Sequence, residues 1–382
     1  ISGSETPMVE GQAPDAAGSG QVDVVIKSAL DLEKPVDFTV KVGEQSQTVT
    51  LEPQGKALVP VQTNAVFEGL LAGQHTLTVT APGFAVYTQD IPVEDSMSSR
   101  VQLMTGDVKV SEDVSSHPGV LRIGDVDGDG KIDQRDQDKL IEAIDQGVTD
   151  GLTDLNGDGK TDLADLEYLA KSYGAETVTS TVERYVSAES VSVSHNEAEV
   201  NIEAGNIRDL LTSQGGPVKF SPANKETISS TNPVELHFDL DDKNKINGIL
   251  IETGLEKKDT GTDDPEETNA ITQADFTIVY EDNGQEKVAT CHYDEAQQGI
   301  HYMLKDNSAA QLDVDVTRDA TGAICLKLGA QVPVKKVTLK IIGVKKNNNL
   351  AEISKVEFVG DLAERIPEPQ MDIPDNISII ND

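Results

Sequence analysis

Two stretches of this chain space their oxygen-bearing side chains as a hard divalent cation requires. DVDGDGKIDQRD occupies residues 125–136 and DLNGDGKTDLAD residues 154–165, starting 29 residues apart. Calcium takes about six to eight oxygens, and a twelve-residue loop offers them from side chains at positions 1, 3, 5, 9 and 12 and a main-chain carbonyl at position 7. In the first loop these are Asp125, Asp127, Asp129, Asp133 and Asp136, with the carbonyl of Lys131. In the second they are Asp154, Asn156, Asp158, Asp162 and Asp165, with the carbonyl of Lys160. Position 6 must turn with positive φ, and Gly130 and Gly159 stand there. A single D-x-D-x-D-G is as readily a solvated acidic loop as a site. Two copies, each with glycine at 6 and a carboxylate at 12, point to two bound Ca²⁺ ions.

Helices are expected directly after each loop. Leu140, Ile141 and Ile144 form an apolar stripe after the first, and Leu163, Leu166, Leu169 and Tyr173 one after the second. Helices this short are marginal alone. Folding of the segment is therefore expected to be linked to the cation that neutralises the carboxylates.

On these residues the segment 121–175 resembles a type I-like dockerin, the module that plugs bacterial enzymes and adhesins into cohesin domains of cellulosomes and related assemblies. Position 12 is Asp in both loops, and Ile123-Gly124 leads into the first loop with no preceding helix. Ile132 fits the apolar preference at position 8, whereas Thr161 departs from it, so the contact between the loops is expected to be weaker. The resemblance implies a cohesin partner met through Gln134, Arg135, Ile141 and Glu142 of the first repeat, or Leu163, Ala164, Ala170 and Lys171 of the second. The two sets differ in size and polarity, so one preferred binding orientation is expected.

The elements around this segment read as β. Residues 1–20 form a Gly/Ser/Pro/Ala-rich linker. Residues 21–106 alternate apolar and polar positions, as in Val22/Val24/Ile26, Phe38/Val40/Val42 and TLTVT at 76–80, with turn signals about every 8–12 residues. The stretch VFEGLLAGQHTLTVTAPGFAVYTQDIPV is similar to prealbumin-like sandwiches, and a β-domain ahead of a dockerin resembles the X-module–dockerin pair, in which the X module braces its neighbour. Residues 107–120 and 176–183 read as linkers.

Residues 184–361 supply strands at Val234–Leu240, at Phe276/Ile278/Tyr280, at Ile324/Leu326/Leu328, at Val337/Leu339/Ile341 and at Val356/Phe358, with a charged insertion at 256–273. The segments at 205–254 and 332–361 resemble a discoidin-like domain. Many such domains bind galactose-type sugars at loop tips, and the candidates here are His195, His292, Tyr293, Tyr302 and Arg318. A Pro-rich linker at 362–382 is expected to lead to a further module.

The expected fold class is thus mainly β: a prealbumin/Ig-like sandwich and a discoidin-like jelly roll flanking a small helical dockerin with paired calcium loops. Lys and Arg number 31 against 67 Asp and Glu, a formal net charge of −36, which repels nucleic acid and anionic lipid. No apolar run reaches the ~18 residues of a membrane span. Trp is absent and aromatics are 4%, which weakens any sugar-stacking platform. No catalytic motif is present among the six histidines or elsewhere, so no enzyme activity is expected. Cys291 and Cys325 are compatible with a disulfide or with two buried thiols. The expected function is non-catalytic, calcium-dependent attachment to a cohesin within a secreted or cell-surface multimodular protein of a Gram-positive-type bacterium. The alternatives are a calcium-stabilised spacer between sandwiches and a carbohydrate-binding adhesin.

Overall fold

A computed structural model describes residues 19–56, 60–106, 117–196, 199–211, 216–241, 245–254, 269–297, 312–318, 323–345 and 349–360. Residues 1–18 and 107–116 of the expected linkers, most of the 256–273 insertion, Tyr302 and the 362–382 tail lie outside the described residues. Among the described residues the chain is mainly β with two α-helices.

The alternation read from the sequence becomes two opposed sheets in the first sandwich. Ser19–Lys27 pairs antiparallel with Gln62–Leu71 and parallel with Ser98–Thr105. The facing sheet runs in the order Gln45–Leu51, Val36–Val42, Gly73–Thr80, Tyr87–Val93. Val22, Val24, Ile26, Phe38, Val40, Val42, Leu77 and Val79 all point into the core between them. Phe38 meets Phe84 edge-on at 5.1 Å, the geometry that aromatic quadrupoles favour.

The last sandwich places Ala188–Ser194, Val234–Leu240, Ile271–Asp282 and Gln285–Asp294 in one sheet, and Asn201–Ala204, Val218–Ser221, Lys245–Thr253, Val314–Arg318 and Ala351–Val359 in the other. The two strands expected around Leu326 and Leu339 are one strand, Ile324–Val344, of 21 residues. Its first half pairs with Lys245–Thr253 and its second with Val234–Leu240 and Ile271–Asp282, so it passes from sheet to sheet. The crossing falls at the small residues Gly329 and Ala330 and at Pro333, where a missing N–H is tolerated. Cys291 and Cys325 are buried in separate apolar clusters with no disulfide between them, and burial pushes the Cys291 thiol up to about 12.

The connection at 176–183 is tied down residue by residue. Val120 N donates to Val178 O at 3.0 Å, Gln89 Nε2 to Ser180 O at 2.7 Å, and Ser180 N to the Tyr87 hydroxyl at 3.0 Å. The strand Glu183–Val186 then pairs antiparallel on one side with Ser98–Thr105 and on the other with Ala351–Val359. One sheet thereby runs from the first sandwich into the last. At this seam Arg100 donates to Asp23 Oδ2 at 3.0 Å and to Glu357, with its guanidinium 4.0 Å from the Tyr185 ring centre. Burial alone would depress the Arg100 pKa, but Glu357, Tyr185 and Asp23 hold it well above its ordinary value.

Candidate metal centre

Each loop ends where its helix begins, and the same carboxylates serve both. Helix α1 is Gln134–Gln146 and α2 is Leu163–Ser172. Asp133 caps α1 and Asp162 caps α2, each in a capping box closed by the carboxylate at position 12. Gly147 ends α1 in the left-handed region.

The hydrogen-bond frame repeats bond for bond. Asp136 Oδ1 accepts from Val126 N at 2.8 Å and Asp127 N at 3.1 Å, and Oδ2 from Asp133 N at 2.7 Å. Asp165 accepts from Leu155, Asn156 and Asp162 at 2.7, 3.2 and 2.8 Å. Asp125 accepts from Gly128 and Gly130, both at 2.9 Å, and Asp154 from Gly157 and Gly159 at 2.9 and 3.0 Å. Gly130 and Gly159 sit at φ 89 and 90, where an L side chain is strained, and a Cβ on Gly130 would also lie 2.8 Å from Val86 Cγ2.

Asp125, Asp127 and Asp136 each offer an oxygen, and the three lie within 4.8 Å of one another. Burial raises the Asp125 pKa first, and the nearby Asp136 and Asp129 charges add to it, against the N–H groups of Gly130 and Gly128. Burial likewise raises Asp165, with its backbone donors opposing. The donor set is all oxygen and mostly anionic, as a hard cation prefers. Asp129, Asp133, Asp158 and Asp162 stand on the more open side of their loops, and Lys131 and Lys160 are exposed at position 7.

The module packs on the first sandwich through a shared apolar core that holds Phe84, Ile123, Val126, Leu140, Leu155, Tyr168 and Leu169. Gly83–Phe84 pairs with Ile123–Asp125, and Val86 N donates to Gly130 O at 3.0 Å. Tyr168 went unnoticed in the sequence, yet it is buried and its hydroxyl donates to Asp31 O at 2.8 Å. It stands three residues after Asp165, one helical turn from loop position 12, which was the available signal. No strand bridge joins the two loops among the described residues. Thr161 instead shares a hydrogen bond with the Thr153 hydroxyl at 2.9 Å.

Of the eight candidate partner contacts, Gln134, Arg135, Ile141, Glu142, Leu163, Ala170 and Lys171 are exposed and Ala164 is half-buried. Ile141 and Leu163, counted above in the apolar stripes, are 38% and 65% exposed, so the packing stripe is narrower than the spacing suggested. Tyr173, also at the surface, donates to Gln134 Oε1 at 3.2 Å and ties the end of α2 to the start of α1.

Of the sugar-tip candidates, Tyr293 and Arg318 stand near each other, while His195 and His292 are engaged with partners of their own. His195 is buried against Asn232 Oδ1 at 2.6 Å, and His292 pairs with Asp275 at 2.6 Å on a sheet face. Tyr293 is buried in the core, and Arg318 is bound to Glu295 at 2.8 Å.

No family model matches the chain, and no curated protein matches it. Among solved structures, a chain of a type II cohesin–X-dockerin complex from Acetivibrio cellulolyticus overlaps 42% of this chain and 97% of its own at 19% identity and a TM-score of 0.27. A family 32 carbohydrate-binding module from C. perfringens, in complex with galactose, overlaps 44% and 93% at 11% identity and a TM-score of 0.26. A SusE-like protein overlaps 90% and 96% at 10% identity and a TM-score of 0.27. Overlaps this loose define neither a family nor a function.

Proposed function

We propose that this chain is a non-catalytic, calcium-dependent attachment protein, whose residues 121–175 dock on a cohesin as a dockerin does and are braced by the preceding sandwich. The observation that carries this reading is the duplicated loop frame, in which matching backbone donors fix Asp125 and Asp136 in one loop and Asp154 and Asp165 in the other. The ligands would be the twelve residues of the two loops, and the ion would supply the charge neutralisation that lets both loops close. The chain's own residues do the rest. Position 12 joins loop to helix, Leu140 and Leu169 seat the helices on the sandwich, and the exposed helix faces meet the partner. No helix of the described residues is long and apolar enough to cross a membrane. A secreted or surface-attached setting supplies the millimolar calcium that such sites use.

Calcium titration of the chelator-stripped full chain is expected to saturate at about two ions and to slow amide exchange in α1 and α2. Absence of calcium uptake sinks the reading. Against a panel of cohesins, Arg135→Ala and Leu163→Asp are expected to act unequally, one weakening binding by about tenfold or more and the other by under threefold. Equal, small losses from both overturn the single orientation.

The seam supports a second role compatible with the first, that of a strut. A buried ion pair between Arg100 and Glu357 and a shared strand join the sandwiches on either side of the calcium module, which fits a spacer that holds them at a fixed angle.

A further inference from the structure

The two loops share an internal frame but differ in what stands beside them. The basic side chains at the first loop are its own: Arg135, largely exposed, pairs with Asp129 and lies 3.4 Å from Asp133 Oδ2 and 3.8 Å from Asp127 Oδ2, and Lys139 Nζ donates to Val126 O at 3.1 Å. The basic side chain at the second loop comes from the first sandwich. Lys34 Nζ donates to Asp154 O at 3.2 Å and stands 3.5 Å from Asp154 Oδ2. Asp154 is the position-1 carboxylate, and its side chain is 8% exposed.

Lys34 is held there by its own backbone. Glu33 N donates to Asn156 O at 2.8 Å, Tyr168 donates to Asp31 O, and a Cβ on Gly157 would lie 3.0 Å from Lys34 N. Residues 31–34 therefore clamp the second loop from outside, and the ammonium arrives with the clamp. The second loop also has one carboxylate fewer, since Asn156 stands where the first loop has Asp127.

Resting on the calcium reading above, we propose that Lys34 makes the second loop the weaker calcium site and couples its occupancy to docking of the first sandwich. A divalent ion held by Asp154 must share that carboxylate with a positive charge already in contact with it. Part of the binding free energy is lost to that repulsion. Coupling of this kind is reciprocal, so an ion in the second loop weakens the Lys34 contact by the same factor. The first loop also meets the sandwich, through Val86 N and Gly130 O, but its basic side chains come from its own helix, and Arg135 rests on the more open Asp129 and Asp133 rather than on the buried position-1 carboxylate. The chain would thus hold one tight ion that builds the module and one weaker ion whose affinity reports whether the sandwich is seated.

Calcium calorimetry on the full chain tests this with Lys34→Gln and Lys34→Arg. Wild type is expected to show two unequal classes of site. Lys34→Gln should tighten the weaker class alone by about threefold to tenfold at low salt, with the gain shrinking as ionic strength rises, and Lys34→Arg should leave both classes near wild type. Asp162→Asn, which keeps a good helix cap, should weaken the class that Lys34→Gln moves, and Asp133→Asn should weaken the other. Two classes that Lys34→Gln leaves unchanged, or a shift in the class that Asp133→Asn weakens, overturn the role of Lys34 and leave the calcium reading standing. A wild-type chain that takes up no calcium overturns both.

Discussion

Replacing Asp136 with alanine is expected to unfold α1 whether or not calcium is present. The residue is fully buried and answers three backbone donors, those of Val126, Asp127 and Asp133. Each buried donor left unmet costs about 1–3 kcal/mol, and the reciprocal half of the capping box is lost with them. The sum over three donors, about 3–9 kcal/mol, exceeds what a 13-residue helix retains by itself. Leu140 would then lose its seat on the first sandwich, and loss of order should extend to α2. Hydrogen exchange on the full chain reads this directly. Asp138→Ala, exposed on the same helix, is expected to change stability by no more than about 0.5 kcal/mol. Wild-type protection of α1 in the Asp136→Ala protein would show that position 12 is only a ligand and not also the joint between loop and helix.

That double duty explains why the candidate site was legible in the sequence. Twelve positions with fixed residue types are demanded by coordination and by capping together, and glycine is the residue that accepts φ near 90 at position 6 without strain. The strand pattern was legible for a similar reason, since period-2 alternation is what a half-buried strand requires, and Val22, Phe38, Leu77, Phe238 and Ile278 all turn inward as expected. What escaped was set by partners distant in the chain. Nothing local in ERYV says that it will be shared by two sandwiches, because its hydrogen bonds go to residues near 100 and near 358. The long strand Ile324–Val344 was divided in two because Gly329 and Pro333 punctuate it, yet both halves find sheets to join. Ile141 and Leu163 fitted a helical stripe by spacing, but the sandwich covers only the Leu140 and Leu169 side of each helix. Arg100 carried no signal at all: a lone arginine in a strand reads as surface until Asp23, Glu357 and Tyr185 close around it.

Arg100→Met should therefore be the most damaging single change outside the loops. Among the described residues it leaves Asp23, which is fully buried, with Asn64 at 3.3 Å, while Glu357 keeps Lys355 at 3.0 Å. Breaking one side of a buried charge pair typically costs about 3–5 kcal/mol, because the uncompensated charge remains in a poor solvent. Neutralising all three groups together, Arg100→Met with Asp23→Asn and Glu357→Gln, is expected to recover most of that loss, since desolvation largely cancels the attraction in the intact cluster. The location of the damage matters more than its size. The strand Glu183–Val186 is held on one side by Ser98–Thr105, which carries Arg100, and on the other by Ala351–Val359, which carries Glu357. Weakening the cluster should uncouple the sandwiches before either core melts, so calorimetry of Arg100→Met is expected to resolve two transitions where the parent chain shows stronger coupling. An unchanged thermogram would mean that the seam bears no load and that the strut reading fails. Cohesin affinity measured on the same variant separates the two proposed roles: the proposed attachment through the loops and helix faces is expected to persist, whereas a fixed angle between the sandwiches, held by the buried pair, is expected to be lost.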